Sequence, residues 1–240
     1  MMGCTVLLCC TLTMPAAEVI LSESIGTISE PAYDNAHERP GPTTPYVPQE
    51  GDIVLLSNPN FAWRTAYMIA KTGSPGHSGV VVTMRDGQLG LLEAGYEGSL
   101  QVRVTPLTFR LAEYKGWLWV RHRKCPLTVE QSARMTEFAH TIDRKPYAVL
   151  RLLMQITPFR SRGPIRTYLF GKPRGIRSSY ICSEAVLESL VYADLLEAET
   201  TRPSATYPED MFFDHSTNKY INENLHLQDQ WEKPALWHRK

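Results

Sequence analysis

The chain is poor in cysteine where cysteine counts. It has five in 240 residues, but Cys4, Cys9 and Cys10 fall among the first ten, and beyond them only Cys125 and Cys182 remain. Two cysteines make no disulfide framework. Acidic residues are missing from one long stretch. Arg144 to Ser183 holds nine Lys or Arg and no Asp or Glu, although 25 basic and 25 acidic residues cancel over the whole chain. Such a run reads first as a solvated basic face and second as a lure for an anionic substrate or surface. Zinc-finger spacing, an aromatic-basic RNA signature and a glycine-rich phosphate loop are all missing, so no nucleic-acid partner is expected. The histidines are scattered and lack ligand spacing, so neither a metal nor a cofactor is expected. There is no internal repeat. The uncharged stretch Cys4 to Met14 is too short to cross a bilayer as a helix. Followed by Pro15, Ala16 and Ala17, it reads as a signal peptide over residues 1–20 of an exported (periplasmic or secreted) protein. Leu7 and Leu8 before the paired cysteines do not fit a lipoprotein signal.

What is present is a core. Hydrophobic residues make up 43% of the chain, which excludes wholesale disorder. Residues 21–50 read as a proline-rich linker or arm, since Pro31, Pro40, Pro42, Pro45 and Pro48 fall within residues 31–50. A domain is expected over 51–213, with a polar tail over 214–240. "GDIVLLSN" predicts a buried strand and "FAWRTAYMIAK" a helix. "SGVVVTM", "RDG" and "QLGLLEAGY" predict a hairpin, and "WLWVRHR" a further strand in which Trp117 and Trp119 pack in the core or on the linker. Thr128 and Gln131 form a capping-box pattern that opens a helix. Another helix is expected from Tyr147 to Ile156, then mostly loop from Pro158 to Ser179, then a helix carrying Cys182. The sum is an α+β domain.

Cys182, in "SSYICSE", lies at the start of its helix, where free N–H groups and the helix dipole favour a thiolate. Its neighbours are polar on both sides, whereas a packing cysteine more often lies in an apolar run, but this stretch alone leaves packing residue and nucleophile both open. Cys125, in "RHRKCPLT", reads as structural. Among seven histidines, His37 lies in the arm, and His215, His226 and His238 in the tail. His122 and His140 read as solvated. His77 stands where the small residues of "GSPGHSG" run into an apolar strand. Glu93, inside "LGLLEAGY", is a carboxylate in an apolar strand and needs a partner. Hairpin register decides whether the two meet. A two-residue loop pairs Val80 with Glu93 and separates them; a three-residue loop, Arg85 to Gly87, pairs Gly79 with Glu93 and puts Glu93 on the face of His77. Together the three residues make a nucleophile (Cys182), a base (His77) and an orienting acid (Glu93).

"GDIVLLSN", "GHSGVVV", "LLEAGYEG", "KPYAVL", "YICSEAV" and "YPEDMF", in that order, resemble the permuted branch of the NlpC-type papain-like fold, specifically the YiiX/YaeF-like cysteine amidase family. In "KPYAVL", Ala148 stands where that family's motif has an acid. The resemblance spans about Gly51 to Phe213. It implies a small antiparallel sheet or half-barrel packed against the cysteine helix. It also implies a thiol hydrolase of amide bonds, with Cys182, His77 and Glu93 in the roles above. Tyr180 and Tyr147 match motif tyrosines that line the site or bind the oxyanion, and the Cys182 N–H is the other expected oxyanion donor. Cell-wall peptides are the first substrate expectation. A lipid-directed thiol esterase or acyltransferase is the alternative, with the 144–177 basic stretch on an anionic surface and an apolar rim of Phe159, Tyr168 and Leu169. A non-catalytic binding module that retains the fold is the third.

Overall fold

The computed structural model describes residues 23–30, 41–57, 73–95, 99–154, 157, 160, 163–216, 218–220 and 225–239. The expected signal segment and the helix over "FAWRTAYMIAK" lie outside them. Eight antiparallel strands form one sheet: β1 (Thr27–Ser29), β2 (Thr43–Pro45), β3 (Ile53–Leu56), β4 (His77–Thr83), β5 (Leu89–Ala94), β6 (Val102–Pro106), β7 (Leu118–Arg121) and β8 (Ala235–His238). Their order is β2-β1-β8-β7-β3-β4-β5-β6. The helices are α1 (Leu107–Glu113), α2 (Val129–Ile142), α3 (Val149–Leu153), α4 (Cys182–Tyr192) and α5 (Pro208–Phe213). The α+β class expected from the element pattern is the class observed.

All four residues of β3 are buried because both faces of the sheet are covered, hence the unbroken run Ile-Val-Leu-Leu. On one face, Ile53, Val80, Val82 and Leu92 meet Phe138 and Ile142 of α2 and Val186 and Leu190 of α4. On the other, Val54, Val81 and Leu91 meet Leu107 and Leu111 of α1 and Tyr46. The Thr128 cap forms as expected, with the Gln131 N–H donating to Thr128 Oγ1 and the Gln131 side chain accepting from the Thr128 N–H.

Two stretches read as arm and tail supply three of the strands. β1 and β2 come from residues 21–50, and β8, from the last turn of chain, sits between β1 and β7. Strands of three or four residues give too few alternations to be seen in a sequence. Buried Asp52 ties this region down. It accepts from the Tyr46 hydroxyl (2.8 Å), the Gln49 N–H (3.1 Å) and the Arg123 N–H (2.8 Å), and meets His122 Nδ1 at 2.9 Å. His122 is therefore a bonded residue, not the solvated one expected.

Other local expectations are corrected. α3 is only five residues long, and the expected loop after it contains a π-helical turn, Arg166–Phe170. The proposed helix end at Ile156 and Pro158 lies outside the described residues. Trp119 is buried in β7, but Trp117, which precedes the strand, is exposed. Cys125 is exposed rather than packed. No described helix is long and apolar enough to cross a membrane.

Candidate active site

The hairpin register places the site. β4 and β5 are joined through a three-residue loop closed by a Met84 N–H to Gln88 O bond of 2.8 Å, with Gly87 at φ +82°. Gly79 therefore faces Glu93. His77 and Glu93 share a face, and His77 Nε2 lies 2.8 Å from Glu93 Oε2. Gly79 has no room for a side chain. A Cβ there would stand 2.9 Å from Leu91 Cγ and 3.0 Å from Leu92 O.

Glu93 is wholly buried, and sequence reasoning missed what holds it there. Arg110, projecting from α1, grips the carboxylate with two bonds, Nε to Oε1 at 2.6 Å and Nη2 to Oε2 at 3.1 Å. The guanidinium also lies 5.0 Å from the centre of the Tyr114 ring. The only signal for it was indirect. A buried carboxylate needs a counter-charge, and Arg110 is a charged residue in an otherwise apolar helix face with Leu107 and Leu111.

Cys182 is the first residue of α4, so its N–H belongs to the helix turn that lacks internal acceptors. The turn is closed by Glu184, whose Oε2 accepts from the Ile181 N–H at 3.2 Å. The thiol is 8% exposed and hydrogen-bonded to His77. With Nε2 held by Glu93, Nδ1 is the ring nitrogen left for the sulfur. α4 packs on one face of the sheet while Glu93 and Arg110 lie on the other, so sulfur and imidazole meet at the sheet's rim, at the start of β4.

The three titrations are linked. Burial pulls His77 down, but its bonds to Cys182 and Glu93 and their charges push it up to about 9. Burial raises Glu93, but the bonds and charges of His77 and Arg110 outweigh this and hold it below the ordinary carboxylate range. Burial likewise raises Cys182, and the bond to His77, its charge and backbone bonds from Ser183 and Ser78 outweigh it, leaving the thiol more acidic than a free cysteine. The arrangement favours a thiolate–imidazolium pair backed by a carboxylate and a guanidinium.

The two motif tyrosines occupy different places. The Tyr180 hydroxyl accepts from the Arg177 N–H (2.6 Å) and donates to Gly175 O (3.1 Å), so it is spent on the turn before the cysteine. Tyr147 pairs with Tyr180 in a parallel bridge, and its ring lies against Gly95 at the end of β5. The "YPEDMF" stretch caps and forms α5, and it and Thr206 before it bond to residues near Cys182 and in the turn before His77. Ser183 Oγ donates to Thr206 O at 2.6 Å, and Glu209 Oε2 accepts from the Gly73 N–H at 2.9 Å in the turn leading to His77.

No protein-family model matches the chain, and no curated protein matches it. Among solved structures, the metalloprotein YiiX from Escherichia coli O157:H7 is similar at 17% identity and a TM-score of 0.45, over 81% of this chain and 99% of that one. Among the described residues here, no group of three or more His, Cys, Asp or Glu side chains is placed to hold a metal ion.

Proposed function

We propose that this protein is a thiol hydrolase of amide bonds. The observation that supports the reading is the buried chain of bonds Cys182–His77–Glu93–Arg110. In this reading the Cys182 thiolate attacks the substrate carbonyl carbon, and the oxyanion forms beside the Cys182 N–H. The His77 imidazolium gives its proton to the leaving amine, and a thioester remains on the sulfur. A water then loses a proton to His77 and attacks the thioester. Acid product leaves, and the thiolate and imidazolium are restored. Glu93 fixes the ring orientation through Nε2, and Arg110 fixes Glu93.

A second reading, a lipid-directed thiol esterase or acyltransferase, has its own observation. Tyr168 and Leu169 are 63% and 67% exposed on the basic segment that precedes the cysteine helix; Phe159, the third residue of the expected rim, lies outside the described residues. The mechanism is the same with an alcohol as leaving group. The test is intact-protein mass after brief mixing with cell-wall peptides, acyl amides and phospholipids. A mass gain equal to an acyl group, absent in Cys182→Ala, supports the reading, and the substrate that produces it decides between the two. No adduct and no turnover with any of these would favour a binding module.

A further inference from the structure

β4 turns one polar side chain toward α4. Ser78 alternates with Val80 and Val82 on that face, while His77 and Gly79 lie on the other. Ser78 is fully buried and stands opposite Leu55 of β3. Its hydroxyl oxygen is buried without a hydrogen-bond partner. The buried serines of α4 are paired: Ser183 Oγ donates to Thr206 O at 2.6 Å and Ser189 Oγ to Val186 O at 2.7 Å. A buried hydroxyl left unpaired costs stability and calls for an explanation.

The nearest chemistry is the thiol. Cys182 opens α4 on the same face of the sheet, and its sulfur accepts from the Ser78 N–H as well as from the Ser183 N–H. The free hydroxyl therefore belongs to a residue already bonded to the sulfur through its backbone. A turn about the Cα–Cβ bond carries that hydroxyl between staggered positions beside the first turn of α4. His77 comes from the other face of β4, so the two side chains do not compete for one approach. The charged groups around the thiol are few. β4 gives His77, β5 gives Glu93 and α1 gives Arg110 behind it. α4 gives Glu184, which Arg151 and Arg177 engage. α5 gives Glu209 and Asp210, which accept from the Gly73 and Tyr207 N–H groups. The buried residues of α2 and β3 are apolar. Beyond His77, then, a negative sulfur draws its support from hydrogen bonds.

We propose that Ser78 is a second side-chain donor to the nucleophile, its hydroxyl turning to the Cys182 sulfur whenever that sulfur is negative. A hydrogen bond to the charged form favours that form, so the bond makes the thiol more acidic. The hydroxyl keeps its own proton throughout. It donates to the thiolate before attack and lets go once the sulfur is acylated. It donates again as the thioester breaks and the sulfur takes back the electron pair. The assignment rests on the thiol-hydrolase reading for the sulfur's role as nucleophile, but the charge on the sulfur is measured without substrate.

The experiment compares the Cys125→Ala chain with the same chain carrying Ser78→Ala. Iodoacetamide alkylation of Cys182 is followed by intact mass from about pH 5 to 10, and urea denaturation of both chains is measured over the same range. Ser78→Ala should raise the midpoint of the rate profile by about one pH unit, a tenfold loss of acidity for one hydrogen bond to a charged group. Stability gives the matching sign. The Cys182 thiol is more acidic in the fold than a free cysteine, so its contribution is present above the unfolded value and is lost as pH falls through the folded one. Below the alkylation midpoint, alanine should therefore cost no stability, because it replaces an unpaired hydroxyl. Above it, the variant should become the less stable chain. An unchanged midpoint overturns the proposal, as does a rate lowered equally at every pH. A loss of stability below the midpoint, or a variant that does not fold, also overturns it by making the hydroxyl structural. In these three cases fast alkylation of the control at pH 6 leaves the Cys182–His77 pair standing; a control that reacts like an ordinary thiol overturns both.

Discussion

Glu93 accepts two bonds from Arg110 and one from His77 without any exposure to solvent, so its charge depends on those two partners. Arg110→Met leaves the carboxylate buried against His77 alone. The expected cost is about 3–5 kcal/mol of unfolding free energy, read from urea denaturation, because a buried pair broken on one side strands a charge. In the folded variant, Glu93 also ionises less readily, and His77 loses basicity. A less basic His77 stabilises the thiolate less, so the pH at which Cys182 begins to alkylate fast moves up, which a merely structural arginine would not cause. Wild-type stability has its own pH signature. His77 is raised from 6.5 to about 9 on folding, so its contribution is complete below about pH 6.5 and is lost as pH rises through about 9. Comparing denaturation midpoints of wild type and His77→Ala from pH 6 to 10 should show the difference between them narrowing at the alkaline end. Cys182, His77 and Glu93 were legible because each is a chemistry-bearing type set in an unusual neighbourhood. Arg110 was not, because its sequence neighbours say nothing about a carboxylate seventeen residues earlier.

At the scale of elements, the hairpin carries the geometry. The Arg85–Gly87 turn sets the pairing of Gly79 with Glu93, and with it the face on which the carboxylate emerges. Gly79→Ala pushes a methyl group against the Leu91 side chain and the Leu92 carbonyl. Over-packing of this kind costs about 1–3 kcal/mol. It should also slow Cys182 alkylation, since relief requires β5 to move and to take Glu93 with it. Both effects can be read on one purified variant. Residue types alone left two registers open; the three-residue loop with glycine in the left-handed position, a common connection, was the one that a His77–Glu93 pair required. The segment from Pro158 to Ser179 was less legible. Its glycines and prolines predict loop, yet Arg166–Phe170 forms a helical turn, and its arginines find partners on α4 that no local pattern announces.

Over the whole molecule, the site depends on chain ends that carry no catalytic side chain. β8 closes the gap between β1 and β7, and just before it Trp231 is fully buried, with Nε1 donating to Gly51 O at 2.8 Å. Trp231→Ala should cost about 3–5 kcal/mol in urea denaturation, as loss of a large buried aromatic does. Neither end was visible as part of the fold, because strands this short acquire their stability from neighbours that the sequence does not place beside them. The proposed activity requires the folded chain to hold Cys182 as a thiolate paired with His77. The most direct measurement is the rate of iodoacetamide alkylation against pH, followed by intact mass in a Cys125→Ala background so that the exposed thiol is silent. Fast alkylation of Cys182 already at pH 6, slowed in His77→Ala and absent in Cys182→Ala, is the predicted result. A rate no greater than that of an ordinary free thiol, rising only above pH 8 and indifferent to His77, would contradict the account.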